Sequence, residues 1–144
     1  MRSACILLAL AALTGCDSRP VASKPHDHEI TGVWVCSDFP SGFLAKAKVG
    51  PASPTSKIEI RKDGSCSASN MPQRDPYRFV DVSSSWTLTD PSMTPSGTWS
   101  VELGGNFLQC RRKGDDLELR YLISGMDEYS VTYQRTEQAG AQKP

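Results

Sequence analysis

Histidine is nearly absent from this chain: two in 144 residues, at positions 26 and 28. The rest of the sequence therefore has no imidazole to serve as a general base, and Ser-His or Cys-His nucleophilic catalysis has no candidate. Net charge is absent too, with 16 Lys and Arg against 16 Asp and Glu. A chain so balanced has no basic stripe with which to neutralise phosphates, which excludes an electrostatic nucleic-acid binder. No apolar run reaches the ~20 residues of a bilayer-spanning helix. There is no CxxC, no HExxH and no Gly-rich phosphate loop, so metal, redox-dithiol and nucleotide chemistry lack their usual scaffolds. Enzymatic function is not expected, and neither is a cofactor. What remains, 38% hydrophobic and 22% charged residues, is ordinary for one folded domain.

The apolar run that does occur, residues 4–13, follows the single cation Arg2 and fits the h-region of a secretory signal. It ends in Leu13-Thr14-Gly15-Cys16, which resembles the lipobox of bacterial lipoproteins. The resemblance implies cleavage before Cys16, diacylglycerol on its thiol and acylation of the new N-terminus, so that the lipid bilayer becomes the first partner. Two or three acyl chains anchor stably where one holds only marginally. Leaving out residues 1–15 removes Arg2 alone and gives 15 cations against 16 anions. Asp17 next to the lipidated cysteine resembles an inner-membrane retention signal, so the expected location is the periplasmic face of the cell envelope, with the inner membrane favoured. Residues 16–29, with two prolines and no apolar periodicity, read as the lipidated cysteine and a flexible tether. Residues 30–136 read as the domain and 137–144 as a disordered tail.

The domain is written in strands. Residues 33–36 and 57–61 alternate, the latter with Ile58 and Ile60 on one face. A two-residue Asp63-Gly64 turn would set Ile60 against Ser67. A three-residue loop, Lys62-Asp63-Gly64 with a left-handed Gly64, instead pairs Ile60 with Cys66 and Ile58 with Ala68, and keeps apolar on apolar. Residues 77–81 and 84–88 suggest one interrupted strand. Trp99, Val101 and Leu103 alternate inward, as do Leu108 and Cys110, then Leu117 and Leu119, then Tyr129, Val131 and Tyr133. About eight strands joined by short turns, with no crossover helix, predict an all-β antiparallel meander closed as a barrel. A two-sheet sandwich satisfies the same pattern. Residues 37–56 are the long connection. A short helix near residues 43–48 would cap one barrel end, and the segment serves either as a plug or as a functional loop.

Thr31-Gly32-Val33-Trp34, Asp63-Gly64, Ser96-Gly97-Thr98-Trp99 and Gly114-Asp115, taken in this order, resemble small bacterial lipocalin-like barrel domains. Trp34 and Trp99 are read as core. The resemblance implies a fold and not an activity. Ser124-Gly125-Met126-Asp127-Glu128-Tyr129 resembles the Ser-Gly-x-x-Tyr loop of periplasmic inhibitors of c-type lysozyme. It is one residue longer, and Asp127 and Glu128 would repel lysozyme's catalytic carboxylates.

Of the five cysteines, Cys36, Cys66 and Cys110 would remain in the domain. Either two of them pair, or all three are buried thiols. In a meander Cys36 and Cys66 fall at opposite barrel ends, beyond the ~7 Å Cα separation that a bridge tolerates. His26-Asp27-His28-Glu29 carries metal-binding groups but reads as solvated tether. Arg111-Arg112-Lys113 either balances the adjacent acidic turn or meets anionic headgroups. The expected function is a non-enzymatic binding module for a protein partner or a small apolar ligand, with Phe39, Phe43, Asp127 and Glu128 as candidate partner-binding residues. The rival expectation is an inhibitor or immunity protein against a periplasmic enzyme or effector.

Overall fold

Strands follow from the alternation, and a computed structural model describes them over residues 17–50, 52–123 and 129–136. β1 is Arg19–Pro20, β2 Gly32–Cys36, β3 Ser56–Ile60, β4 Ser65–Gln73 and β5 Arg78–Thr89. β6 is Ser100–Leu103, β7 Asn106–Lys113, β8 Asp116–Leu122 and β9 Ser130–Arg135. Two short helices, α1 at Asp27–Ile30 and α2 at Ser41–Lys46, precede β2 and β3. β2 to β9 pair each with the next, all antiparallel, and β9 pairs back onto β2 through Trp34↔Arg135 and Val35↔Gln134. The result is a closed eight-stranded up-and-down barrel of lipocalin-like architecture, not a sandwich, and closure removes the open edges that would otherwise invite aggregation.

The register at β3–β4 is the one that keeps apolar on apolar. Ile60 faces Cys66 and Ile58 faces Ala68. Gly64 adopts φ +86° at the turn, a conformation that costs a residue with a Cβ about 1–2 kcal/mol. Asp63 Oδ1 holds the turn by accepting from the Ser65 amide at 2.9 Å and its hydroxyl at 2.6 Å.

β5 corrects the expectation of an interrupted strand: it runs unbroken for 12 residues. Residues 82 and 83, the expected gap, simply continue the alternation, and Ser84 turns inward so that its Oγ lies 3.5 Å from Cys66 Sγ. The irregularity sits on β4 instead, as a bulge between Ala68 and Met71. Asn70 is left-handed there (φ +52°), and its amide donates to Asp81 Oδ1. Such a bulge bends the hairpin, and the β4–β5 tip leans toward the β6–β7 turn, where Gln73 Nε2 donates to Asn106 Oδ1 at 3.1 Å.

Residues 17–29 are not a free tether. β6 ends opposite Gln109, so the same edge of β7 is open beyond that point. β1 fills it, with Pro20 opposite Arg111, Arg19 opposite Arg112 and the Val21 amide donating to the Cys110 carbonyl. The chain then returns to form α1, where Glu29 accepts from the His26 amide and pairs with Arg112 at 2.5 Å. Residues 1–16 and 137–144, including the candidate lipidation site Cys16, lie outside the described residues.

Inside the barrel, Trp34, Tyr133, Phe43, Ile30, Ile58, Ile60 and Met71 are the largest of a set of fully buried side chains that also includes Leu103, Leu108, Leu119 and Val101. Trp34 donates from Nε1 to the Ile30 carbonyl at 2.8 Å, stoppering the end that carries α1. Trp99 is half-buried against the same core.

Candidate functional site

An up-and-down barrel sends alternate connections to opposite ends. The β2–β3, β4–β5, β6–β7 and β8–β9 connections share the end covered by α2, and the other three share the end covered by α1. The four candidate partner-binding residues belong to the first set. Phe39 and Phe43 come from the β2–β3 connection, and Asp127 and Glu128 from the β8–β9 connection.

The two phenylalanines are buried and not offered to a partner. Phe39 is 6% exposed and Phe43 fully buried. α2 begins two residues before the expected helix and turns Phe43 down into the barrel mouth, the plug reading of this segment. There it meets Phe79 edge-on with centroids 5.3 Å apart, Tyr77 at 5.9 Å and Tyr129 at 6.4 Å. Phe39 meets Phe79 edge-on at 5.1 Å. Edge-to-face pairs of this kind add about 0.5–1.5 kcal/mol each beyond the area they bury. Lys46, one helical turn after Phe43, places its Nζ 5.0 Å from the centroids of both Tyr77 and Tyr129, within cation–π range. α2 has no side-chain hydrogen bond at its N-cap, Pro40, and at six residues it is far too short to be stable alone. The rings and Lys46 hold it in place.

Asp127 and Glu128 lie outside the described residues, together with the rest of the Ser124–Glu128 portion of the lysozyme-inhibitor-like motif. Its flanks are described: the Ile123 amide donates to the Tyr129 carbonyl at 2.9 Å, and both residues are buried. Ile123 and Tyr129 thus lie at the same rim as α2. Tyr77, Phe79 and Lys46 complete that rim and were not singled out from the sequence. A meander places every second connection together, and the Tyr-x-Phe after Asp75-Pro76 could have been recognised on that ground.

The three domain cysteines are free thiols, all buried. Cys36 lies opposite Ser56 at one end of β3, and Cys66 opposite Ile60 at the other. Burial pushes the Cys36 thiol up, and Cys110 up to about 12, so neither is a nucleophile at neutral pH. Among the described residues no three His, Cys, Asp or Glu side chains converge as a metal site would. His26 and His28 stack on each other at 5.4 Å.

At the α1 end two open clefts of about 470 and 480 Å³ flank Arg135. Their walls carry both signs: Arg112, Lys113, Asp115 and Asp116 in one, Glu59, Arg61 and Lys62 in the other. Arg111 and Arg112 are engaged, the first by Ser18 and the second by Glu29. Both clefts lie on the outside of the barrel, whose inward side chains form one buried cluster. Compared with protein-family models, curated proteins and solved structures, the chain matches none of them.

Proposed function

We propose that the chain is a non-enzymatic, lipid-anchored binding module facing the periplasm, and that it recognises a protein partner with the α2 end of its barrel. The observation that carries this reading is the filled interior. A ligand carrier of this architecture needs a hollow of about 300 Å³ or more, and here fully buried side chains, Trp34, Tyr133 and the Phe43 plug among them, take up the core. What remains to present to a partner is the rim: α2, the β4–β5 tip, the β6–β7 turn and the loop carrying Asp127 and Glu128. Rigid scaffolds commonly carry recognition on such loops. Inhibitor or immunity action would be one form of the same recognition.

A photo-crosslinking amino acid at Lys48 or Asp127, compared with one at Lys62 on the opposite end, tests the reading in living bacteria. Protein adducts confined to the first two positions are expected. Adducts at neither, together with an apolar dye bound stoichiometrically by the purified barrel, would overturn it in favour of a ligand carrier. Mass spectrometry of Cys16 tests the anchor: an unmodified thiol would sink that part.

A further inference from the structure

The segment that links the candidate anchor to the barrel is docked, and that fixes how the barrel can stand on a membrane. Arg19 pairs with Arg112 and Pro20 with Arg111. The Arg111 guanidinium also grips Ser18, donating to its carbonyl from Nη2 and to its Oγ from Nε. The chain enters beside the β7–β8 turn, residues 113–116, which belongs to the α1 end. Three residue steps separate Arg19 from Cys16, a reach of about 11 Å at full extension. A lipid at Cys16 therefore cannot let the barrel float on a 13-residue leash.

We propose that the α1 end of the barrel rests directly on the phospholipid headgroups and that the α2 end points away from the bilayer. The proposal rests on the lipid anchor at Cys16. The chemistry of the α1 end matches a zwitterionic surface rather than a strongly anionic one. Exposed Lys62 and Lys113 sit in the same two turns as exposed Asp63, Asp115 and Asp116, so cations are placed to meet phosphate and carboxylates to meet the ammonium of phosphatidylethanolamine. β7 and β8, of eight and seven residues, rise about 3.3 Å per residue and tilt in a barrel, which puts the α2 rim roughly 20 Å above the headgroups. The rim is then presented to soluble partners, and the short linkage takes over the task expected of a long tether.

The test uses two preparations in nanodiscs of phosphatidylethanolamine with a minor anionic lipid and a trace of gadolinium-chelated headgroups. One is the protein recovered from bacterial membranes, with its acyl mass determined. The other is the full chain carrying Cys5→Ser, with the Cys16 thiol coupled to a maleimide phospholipid, a reaction for which buried Cys36, Cys66 and Cys110 compete poorly. Amide relaxation enhancement at Gly114 and Gly64 is expected to exceed that at Lys48 at least fivefold in both. Equal enhancement at the two ends, or more at Lys48, overturns the orientation. If the recovered protein carries no acyl chains while the coupled one shows the gradient, the anchor reading fails and the geometry stands. If the recovered protein is acylated and shows no gradient, the geometry fails and the anchor stands.

Discussion

Gly42 lies flat against the ring of Tyr129: a Cβ at position 42 would sit 2.8 Å from the tyrosine oxygen and 2.9 Å from Cε1. The close approach lets α2 lower Phe43 into the barrel mouth and bring Lys46 over the same ring. Because Tyr129 is itself buried, with only 8% exposed, it has little room to retreat. Gly42→Ala should therefore raise α2 from the rim, against the usual gain of replacing glycine in a helix. A loss of about 1–3 kcal/mol in denaturant unfolding is expected, in line with overpacking elsewhere, with faster amide exchange confined to residues 41–47. Unchanged or increased stability would show that the helix is not seated as described.

Glu29 joins the N-terminal segment, residues 17–29, to the barrel through Arg112. Its hydrogen bond from Arg112, and then that from the His26 amide, hold its carboxyl below the ordinary range. The folded state thus favours the ionised form. The associated stability is complete above the unfolded value near ~4.3 and is lost as pH falls through the lower folded value. The pair is partly exposed, with side-chain exposures of 38% and 22%, so a contribution of about 1 kcal/mol or less is expected. Glu29→Gln should lower the melting temperature at pH 6 and converge with the parent in strong acid. Parallel curves from pH 6 down to pH 2.5 would refute the assignment.

The buried thiols and phenols act at the other end of the pH scale. Burial pushes Cys110 up to about 12 and raises Tyr133 and Tyr121 as well. The barrel holds these protons more tightly than the unfolded chain, so stability is full below the ordinary thiol pKa of ~8.5. Above its own ordinary value, ~8.5 for the thiol and ~10 for the phenols, each such group removes about 1.4 kcal/mol per pH unit until its folded value is reached. Cys110→Ala, which deletes one of them, should flatten the decline between pH 8.5 and 10 in urea titrations. An unchanged slope would mean that Cys110 ionises in place at ordinary cost.

Much of the barrel was legible because its signals are local. Ile58 and Ile60 admit one register that keeps them facing apolar partners, and β7 was bounded by Gly104-Gly105 and Gly114-Asp115 on either side. The features that escaped depend on distant elements. Arg19 and Pro20 become a strand only because β6 stops at Ser100 and leaves β7 open beyond Gln109. Phe39 and Phe43 look exposed in a loop rich in Ser, Pro and Gly until Tyr77, Phe79 and Tyr129 arrive from two other connections. The irregularity expected between residues 81 and 84 falls on the partner strand instead, because a bulge between Ala68 and Met71 cannot be read from the strand that stays regular.

Two tryptophans offer a comparison that separates burial from bonding. Trp34 Nε1 donates to the Ile30 carbonyl and Trp86 Nε1 to the Arg61 carbonyl, each at 2.8 Å. The first pair is buried, and the second only partly so. Replacing either tryptophan by phenylalanine removes the donor and keeps an aromatic ring. At Trp86 water can reach the orphaned carbonyl and replace the lost bond, which limits the hydrogen-bond share of the cost to about 1 kcal/mol or less. At Trp34 no water reaches the Ile30 carbonyl without opening the α1 end, so its desolvation is uncompensated and adds about 1–3 kcal/mol to the packing loss. Trp34→Phe should thus cost more than Trp86→Phe by roughly 1–3 kcal/mol in equilibrium urea unfolding, with similar m-values. Equal losses would mean that the Ile30 carbonyl finds another donor and that Trp34 holds the barrel end by its volume alone.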